Sequence, residues 1–205
     1  MKVLALELST AQASLAWVDE ATEFSRQWNN DRRNSGLFFE NLKSVAEQFG
    51  PPEKIVVGLG PGSYAGVRIA ISAAIGLQAA TGAQLVGCPS ICAMDVPNDS
   101  YTVIGDARRQ SFYFAHVRGR AVIDGFELYH NGDLRHRFDA LSSSAAVFSS
   151  DSLPQFGWVK QCHPSARILA RLVSENERDF SFPPLEPIYL REPNITIPKA
   201  TVAKR

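Results

Sequence analysis

Gly58-Leu59-Gly60-Pro61-Gly62-Ser63-Tyr64-Ala65-Gly66-Val67-Arg68 joins a β-branched run to a long apolar segment through a glycine-rich bend. Its glycines allow close backbone approach, Pro61 fixes one φ, and Ser63 suits the N-cap of a following helix. A helix start with open N–H groups attracts anions, so the bend is a candidate phosphate cradle. The spacing is neither the dinucleotide fingerprint nor a P-loop, because no Lys-Ser or Lys-Thr follows and Arg68 is the only nearby cation. A tight strand-to-helix turn is the plainer reading.

Downstream of the bend, a helix is expected from about Ser63 to Thr81. From Ile69 through Thr81 it carries no charged residue, and Gly66, Ala70, Ala73, Ala74, Gly76 and Ala80 keep its surface small. A helix apolar all round must be buried all round. One face meets a sheet, and the rest needs a second helix from this chain or from a partner. Upstream, Lys54 to Gly58 reads as a strand, and Ser35 to Phe49 as a helix with Phe38, Leu42, Val45 and Phe49 on one stripe. Gly50-Pro51-Pro52 stops it. Leu37 and Phe39 lie off the stripe, which implies a second burial surface.

The chain opens with strands at Val3 to Leu8, Ala13 to Val18 and about Thr22 to Trp28. Gln84 to Gly87 is a further strand, Pro89 to Met94 a short helix or turn, and Pro97-Asn98-Asp99-Ser100 a loop cluster that marks a boundary. Beyond it come strands at Tyr101 to Ile104, Ser111 to Val117, Ala121 to Tyr129 and about Val147-Phe148. A helix follows Pro164. The expected division is an N-terminal α/β domain at 1–98 bearing partner-binding helices, and a smaller, divergent C-terminal α/β domain at 99–205. No internal repeat is visible.

With 205 residues the chain can bury a sizeable core, and its 21 Lys plus Arg balance 21 Asp plus Glu. No net field draws it onto nucleic acid or an anionic membrane. Cys88, Cys92 and Cys162 give no disulfide framework and fit a reducing cytosol. A signal-peptide pattern is lacking, as is a stretch of ~20 apolar residues, so a cytoplasmic location without membrane contact is expected.

Metal chemistry has little support: His116, His130, His136 and His163 are scattered, with no helical i, i+4 pair. His130, Asp133, Arg135, His136 and Arg137 read as a solvated polar loop. Cys162 directly precedes His163, a poor geometry for a nucleophile and its base, and no Gly-x-Ser-x-Gly elbow occurs. Asp106, Arg108 and Arg109 follow an apolar strand, where α/β folds often place functional groups; an Asp-Arg pair satisfying a turn is the competing reading.

The strand-turn-strand opening resembles the actin, sugar kinase and Hsp70-like ATPase superfamily. More specifically, Gly60-Pro61-Gly62-Ser63-Tyr64-Ala65-Gly66-Val67-Arg68-Ile69 resembles the Gly-Pro-Gly-Ser-Phe-Thr-Gly-Leu-Arg-Ile signature of the TsaB (YeaZ) family, long labelled glycoprotease-like. Val3-Leu4-Ala5-Leu6, Asp106-Ala107-Arg108 with Tyr113, and Pro187-Ile188-Tyr189-Leu190-Arg191 extend the likeness along nearly the whole chain.

The resemblance implies an α/β fold of two linked actin-like domains and a non-catalytic scaffold. Such a scaffold pairs with the catalytic paralogue TsaD, is joined by the ATPase TsaE, and serves tRNA threonylcarbamoyladenosine synthesis. It implies a homodimer in isolation and tRNA contact only through the complex. The expected partner-facing residues are Leu37, Phe39, Gly66, Ala70, Ala73, Ala74 and Leu77. The alternative is a small-molecule kinase or ATPase, with phosphate held by Thr10, Gly60, Gly62, Ser63 and Arg68. No resident cofactor or metal is expected, with ATP or ADP at a composite interface as the variant. The family often has Asp-Thr-Ala-Thr where this chain has Glu7-Leu8-Ser9-Thr10, which weakens nucleotide contact at that turn.

Overall fold

The computed structural model describes residues 1–30, 35–139, 145–175 and 180–191. The part of the tail carrying Pro193 and Pro198 lies outside the described residues. Among the described residues ten strands form two five-stranded sheets. The first holds β1 (Val3–Glu7), β2 (Gln12–Val18), β3 (Glu23–Asn29), β4 (Lys54–Gly58) and β5 (Gln84–Cys88). The second holds β6 (Ser100–Asp106), β7 (Ser111–Arg118), β8 (Ala121–His130), β9 (Val147–Ser149) and β10 (Lys160–Gln161).

The strand orders are β3-β2-β1-β4-β5 and β10-β9-β6-β7-β8. In the first sheet β1-β2 and β2-β3 are antiparallel, while β1-β4 and β4-β5 are parallel. The second sheet repeats that pattern: β6-β7 and β7-β8 antiparallel, β6-β9 and β9-β10 parallel. The two halves are therefore one topology used twice.

Helix α1 (Gly36–Phe49) follows β3, and α2 (Tyr64–Thr81) connects β4 to β5. Both pack on one face of the first sheet. Alternation along β1 sends Leu4 and Leu6 to that face, where they meet Phe38, Leu42 and Val45 of α1 and Val67, Ala70, Ile71 and Ala74 of α2. Burying each large apolar side chain contributes about 1.5–3 kcal/mol. Val3 and Ala5 point to the opposite face, covered by α4 (Ala166–Glu175) through Ala166, Leu169, Ala170, Leu172 and Val173. A helix from the second half of the chain thus completes the core of the first sheet.

In the second half, α3 (Asn131–Asp139) follows β8 as α1 follows β3, and it buries Leu134 against Phe112, Phe114 and Phe156. This corrects the expected polar loop at 130–137: Leu134 at the inward position, with Phe138 against Phe156 and Trp158, docks a short helix whose other residues are glycine or polar. No counterpart of α2 stands between β9 and β10, where the described chain has only a 3-10 turn at Pro154–Phe156.

Candidate functional site

The glycine bend is packed against the first hairpin rather than open to solvent. A Cβ on Gly62 would stand 2.1 Å from the Ser9 carbonyl oxygen, and one on Gly66 2.1 Å from that of Leu8. Only glycine admits so close a backbone crossing. Ser63 N–H donates to Ser9 O at 2.5 Å, and Gly60 N–H donates to Ser90 Oγ at 2.9 Å. Ser63 caps α2, its Oγ accepting from Gly66 N–H at 3.2 Å. These amides hold the bend to its own chain. The phosphate-cradle expectation at Gly60, Gly62 and Ser63 is corrected to that extent: the close approach serves another backbone.

Arg68 is corrected as well. Its Nε–H donates to the Tyr189 hydroxyl at 2.9 Å, and its guanidinium lies 4.0 Å from the centroid of the Tyr64 ring. It is committed to the tail and does not line the cleft. Thr10 does line the cleft, but its hydroxyl donates to Gln12 O at 2.9 Å. The 3.1 Å contact between Thr10 Oγ1 and His163 Nδ1 then has the imidazole donating, which joins the first turn to the segment before α4. Burial lowers the His163 pKa, favouring that neutral form.

Behind the turn, Glu7 is fully buried at the end of β1, and Oε1 accepts the Ser9 N–H at 2.7 Å. Oε2 lies against Gly58, where a Cβ would fall 1.8 Å away, and has no partner in hydrogen-bonding geometry. Burial pushes this carboxyl up, opposed only in part by the nearby Ser9 and Ser90 hydroxyls and the Ser9 amide.

Between the two sheets lies a cavity of about 380 Å³. Its first wall is the Ser9-Thr10 turn with the bend, and its second is the end of β6 and β9 with Asp106, Arg108 and Asp151. The tail closes it through Ile188, Tyr189 and Arg191. Both readings of Asp106 and Arg108 hold together: they pair at 3.3 Å within the β6-β7 turn, and both face the cavity. Arg108, Arg109 and Gln110 all have positive φ (66°, 54° and 58°), a run that residues with side chains seldom adopt. Glycine-free Ala107-Arg108-Arg109-Gln110 gave no such signal in the sequence.

The expected partner-facing residues divide between two environments. Gly66, Ala70 and Ala74 point inward, Ala70 and Ala74 with no exposure at all, so their assignment to an outer surface is corrected: their small size lets α2 sit close on the sheet. Leu37 and Phe39 are exposed at 43% and 50%, and Ala73 and Leu77 are partly exposed. The outer face of α2 is instead made of Ala65, Arg68, Ser72, Ile75, Gly76, Ala79 and Ala80; beyond Arg68 it is uncharged, and the apolar periodicity did not separate these residues from the inner ones. Among the described residues no group of His, Cys, Asp and Glu could hold a metal, and no helix is long and apolar enough to cross a membrane.

Two linked α/β sheets of one topology with a cleft between them define a protein of the actin-like ATPase fold. Residues 36–131 match the family model described as TsaD: tRNA N6-adenosine threonylcarbamoyltransferase. Among solved structures, YeaZ from Pseudomonas aeruginosa superposes with a TM-score of 0.68 at 18% identity, covering 92% of this chain and 99% of that one. A protein with similarity to the peptidase YeaZ, from Pseudomonas aeruginosa, gives a TM-score of 0.73 at 18% identity, with 93% and 99% covered. Among curated proteins none matches significantly. The family model covers a little under half of the chain, and the two solved structures show a shared fold.

Proposed function

We propose that this chain is a non-catalytic scaffold and activator in the synthesis of threonylcarbamoyladenosine in tRNA, paired with a TsaD-like catalytic paralogue. The observation that carries the reading is the outer face of α2. Ser72, Gly76 and Ala79 are exposed and small, Ile75 is 50% exposed, and Leu37 and Phe39 of α1 stand on the same layer. Beyond Arg68 near its start this helical face is uncharged, its small residues let another helix approach closely, and apolar residues beside it gain by leaving water. The same face would form a homodimer when the partner is absent. A TsaE-like ATPase joins the pair, and tRNA is met only through the assembly, since the chain has no net charge to attract it.

Co-expression with the TsaD-like paralogue of the same organism tests this. The two chains should co-purify, and threonylcarbamoyl transfer to tRNA should depend on both. An Ile75→Arg chain should stay folded yet purify alone. Full transfer without this chain, together with failure to co-purify, would sink the proposal.

A further inference from the structure

Arg68 is the one charged residue of α2, and it heads an exposed, uncharged stripe of Ser72, Ile75, Gly76 and Ala79. Its guanidinium is held in place from one side. Nε–H donates to the Tyr189 hydroxyl at 2.9 Å, and the ring centroids of Tyr64 and Tyr189 lie 4.0 and 5.8 Å away. Both rings are themselves exposed, at 47% and 42%. Among the described residues no carboxylate pairs with Arg68, and α2 has no acidic residue in its first turn. The Nη groups therefore face solvent without an anion.

Fixing a long surface side chain ordinarily costs entropy, and here the two tyrosines have already met that cost. A guanidinium so held presents parallel N–H donors that match one carboxylate. Arginine and tyrosine are also the residue types that dominate binding energy at protein interfaces. The stripe beyond Arg68 selects the occupant. A nucleic acid needs several cations along its track, and this face offers one. A wholly apolar helix would cover Arg68 without a counter-charge, which is costly. A helix that is uncharged except for one carboxylate at the matching end satisfies both parts of the surface.

We propose that Arg68 is the polar anchor of the α2 face, its guanidinium receiving one Asp or Glu side chain from an otherwise uncharged helix of the partner. The inference rests on the scaffold reading and adds the chemistry of the partner to it. A stripe of small residues lets a docked helix slide, whereas one ion pair at its end fixes the register. Ile75 and Ala79, about two and about three turns further along the axis, then meet defined positions of the partner.

Calorimetric titration of the full chain with the TsaD-like paralogue of the same organism tests the assignment. Arg68→Gln should weaken pairing about thirtyfold or more, and Arg68→Glu about tenfold beyond that, with Arg68→Lys between parent and Arg68→Gln. Tyr189→Phe breaks the same hydrogen bond to the tail but keeps the charge, and should stay within about threefold of the parent. Each variant should melt near the parent; if Arg68→Glu fails to fold, Arg68→Gln and Arg68→Lys carry the test. Sedimentation of Arg68→Gln alone should show any self-association unchanged. Pairing of Arg68→Gln as tight as that of the parent, while Ile75→Arg still uncouples the chains, would overturn this inference and leave the scaffold reading standing. Equal losses in Arg68→Gln and Tyr189→Phe would assign the effect to the tail, and an equal loss of self-association would make the occupant a second copy; either result also overturns it. Absence of pairing by the parent would sink both readings.

Discussion

Arg68 and Tyr189 are joined across 121 residues of chain by a 2.9 Å hydrogen bond from the guanidinium Nε–H to the phenol oxygen. Tyr64 packs on Tyr189 at 5.5 Å between centroids with the rings tilted by 37°, and the guanidinium lies 4.0 Å from the Tyr64 centroid and 5.8 Å from that of Tyr189, so two aromatic rings hold one cation. The contact pins the tail to the beginning of α2, where the exposed helical face begins and the cleft ends. Ile188 N–H donating to Leu59 O at 2.8 Å and the burial of Leu185 continue the attachment. A cation that looked available for phosphate is a clasp.

Cutting that clasp should loosen the tail without unfolding the sheets. In Tyr189→Ala, the Ile188 amide should exchange with solvent faster and proteases should cut within 180–191, while Tyr189→Phe, which keeps the ring, should fall between variant and parent. Hydrogen-exchange mass spectrometry reads both. Unchanged protection of Ile188 in Tyr189→Ala would show that the strand-like contacts alone hold the tail.

Neighbouring positions on α2 should respond in opposite ways to the same new charge. Ala74 has no exposure, and Ala74→Arg must bury a guanidinium where a methyl group fits, at a cost of more than about 3 kcal/mol. Ile75→Arg places the charge in solvent and should change stability by no more than about 0.5 kcal/mol. Urea denaturation of the two variants separates them. Equal stabilities would mean that Ala74 does not face the sheet.

That contrast also marks where the sequence stops being informative. The charge-free run at 69–81 announced a helix needing two burial surfaces, and Leu37 and Phe39 off the α1 stripe announced a second surface there. It could not say which of Ala70, Ala73 and Ala74 faced inward, because small residues leave no amphipathic contrast around the helix. The strands were legible from their apolar runs. The duplicated topology was not, because it is written in backbone pairing order, while the second half has a short β9 and β10 and lacks a helix like α2 between them. Arg191 as a cleft residue was hidden because the fold brings the tail back over a turn nearly the whole chain away.

The glycines of the bend and the glycine of the helix should likewise separate. Gly62→Ala and Gly66→Ala each drive a methyl into a backbone carbonyl at 2.1 Å, which cannot swing aside, and should cost about 3 kcal/mol or more. Gly76 has nothing within 4 Å of an added Cβ and sits in a helix interior, so Gly76→Ala should stabilise the isolated chain by about 0.5–1 kcal/mol. If α2 docks a partner helix, the same methyl should weaken the pairing. Thermal melts and co-purification of Gly76→Ala, measured together, should therefore move in opposite directions.

Glu7 should make stability fall as pH rises. Its folded pKa is raised above 4.5 by burial, so the folded chain keeps a proton that the unfolded chain has lost. The stability this proton contributes is fully present below about pH 4.5 and is lost as pH rises through the folded pKa. Each unit of elevation corresponds to about 1.4 kcal/mol. Glu7→Gln keeps the shape and the oxygen that accepts the Ser9 N–H, but cannot ionise. Its stability relative to the parent should be nearly level below pH 4.5, grow as pH is raised above it, and flatten once Glu7 is ionised in the folded chain. Urea denaturation across pH 4 to 9 measures the difference. A gap that is constant with pH would show that the Glu7 carboxylate is stabilised where it lies, and that its unpartnered oxygen finds a donor in solution.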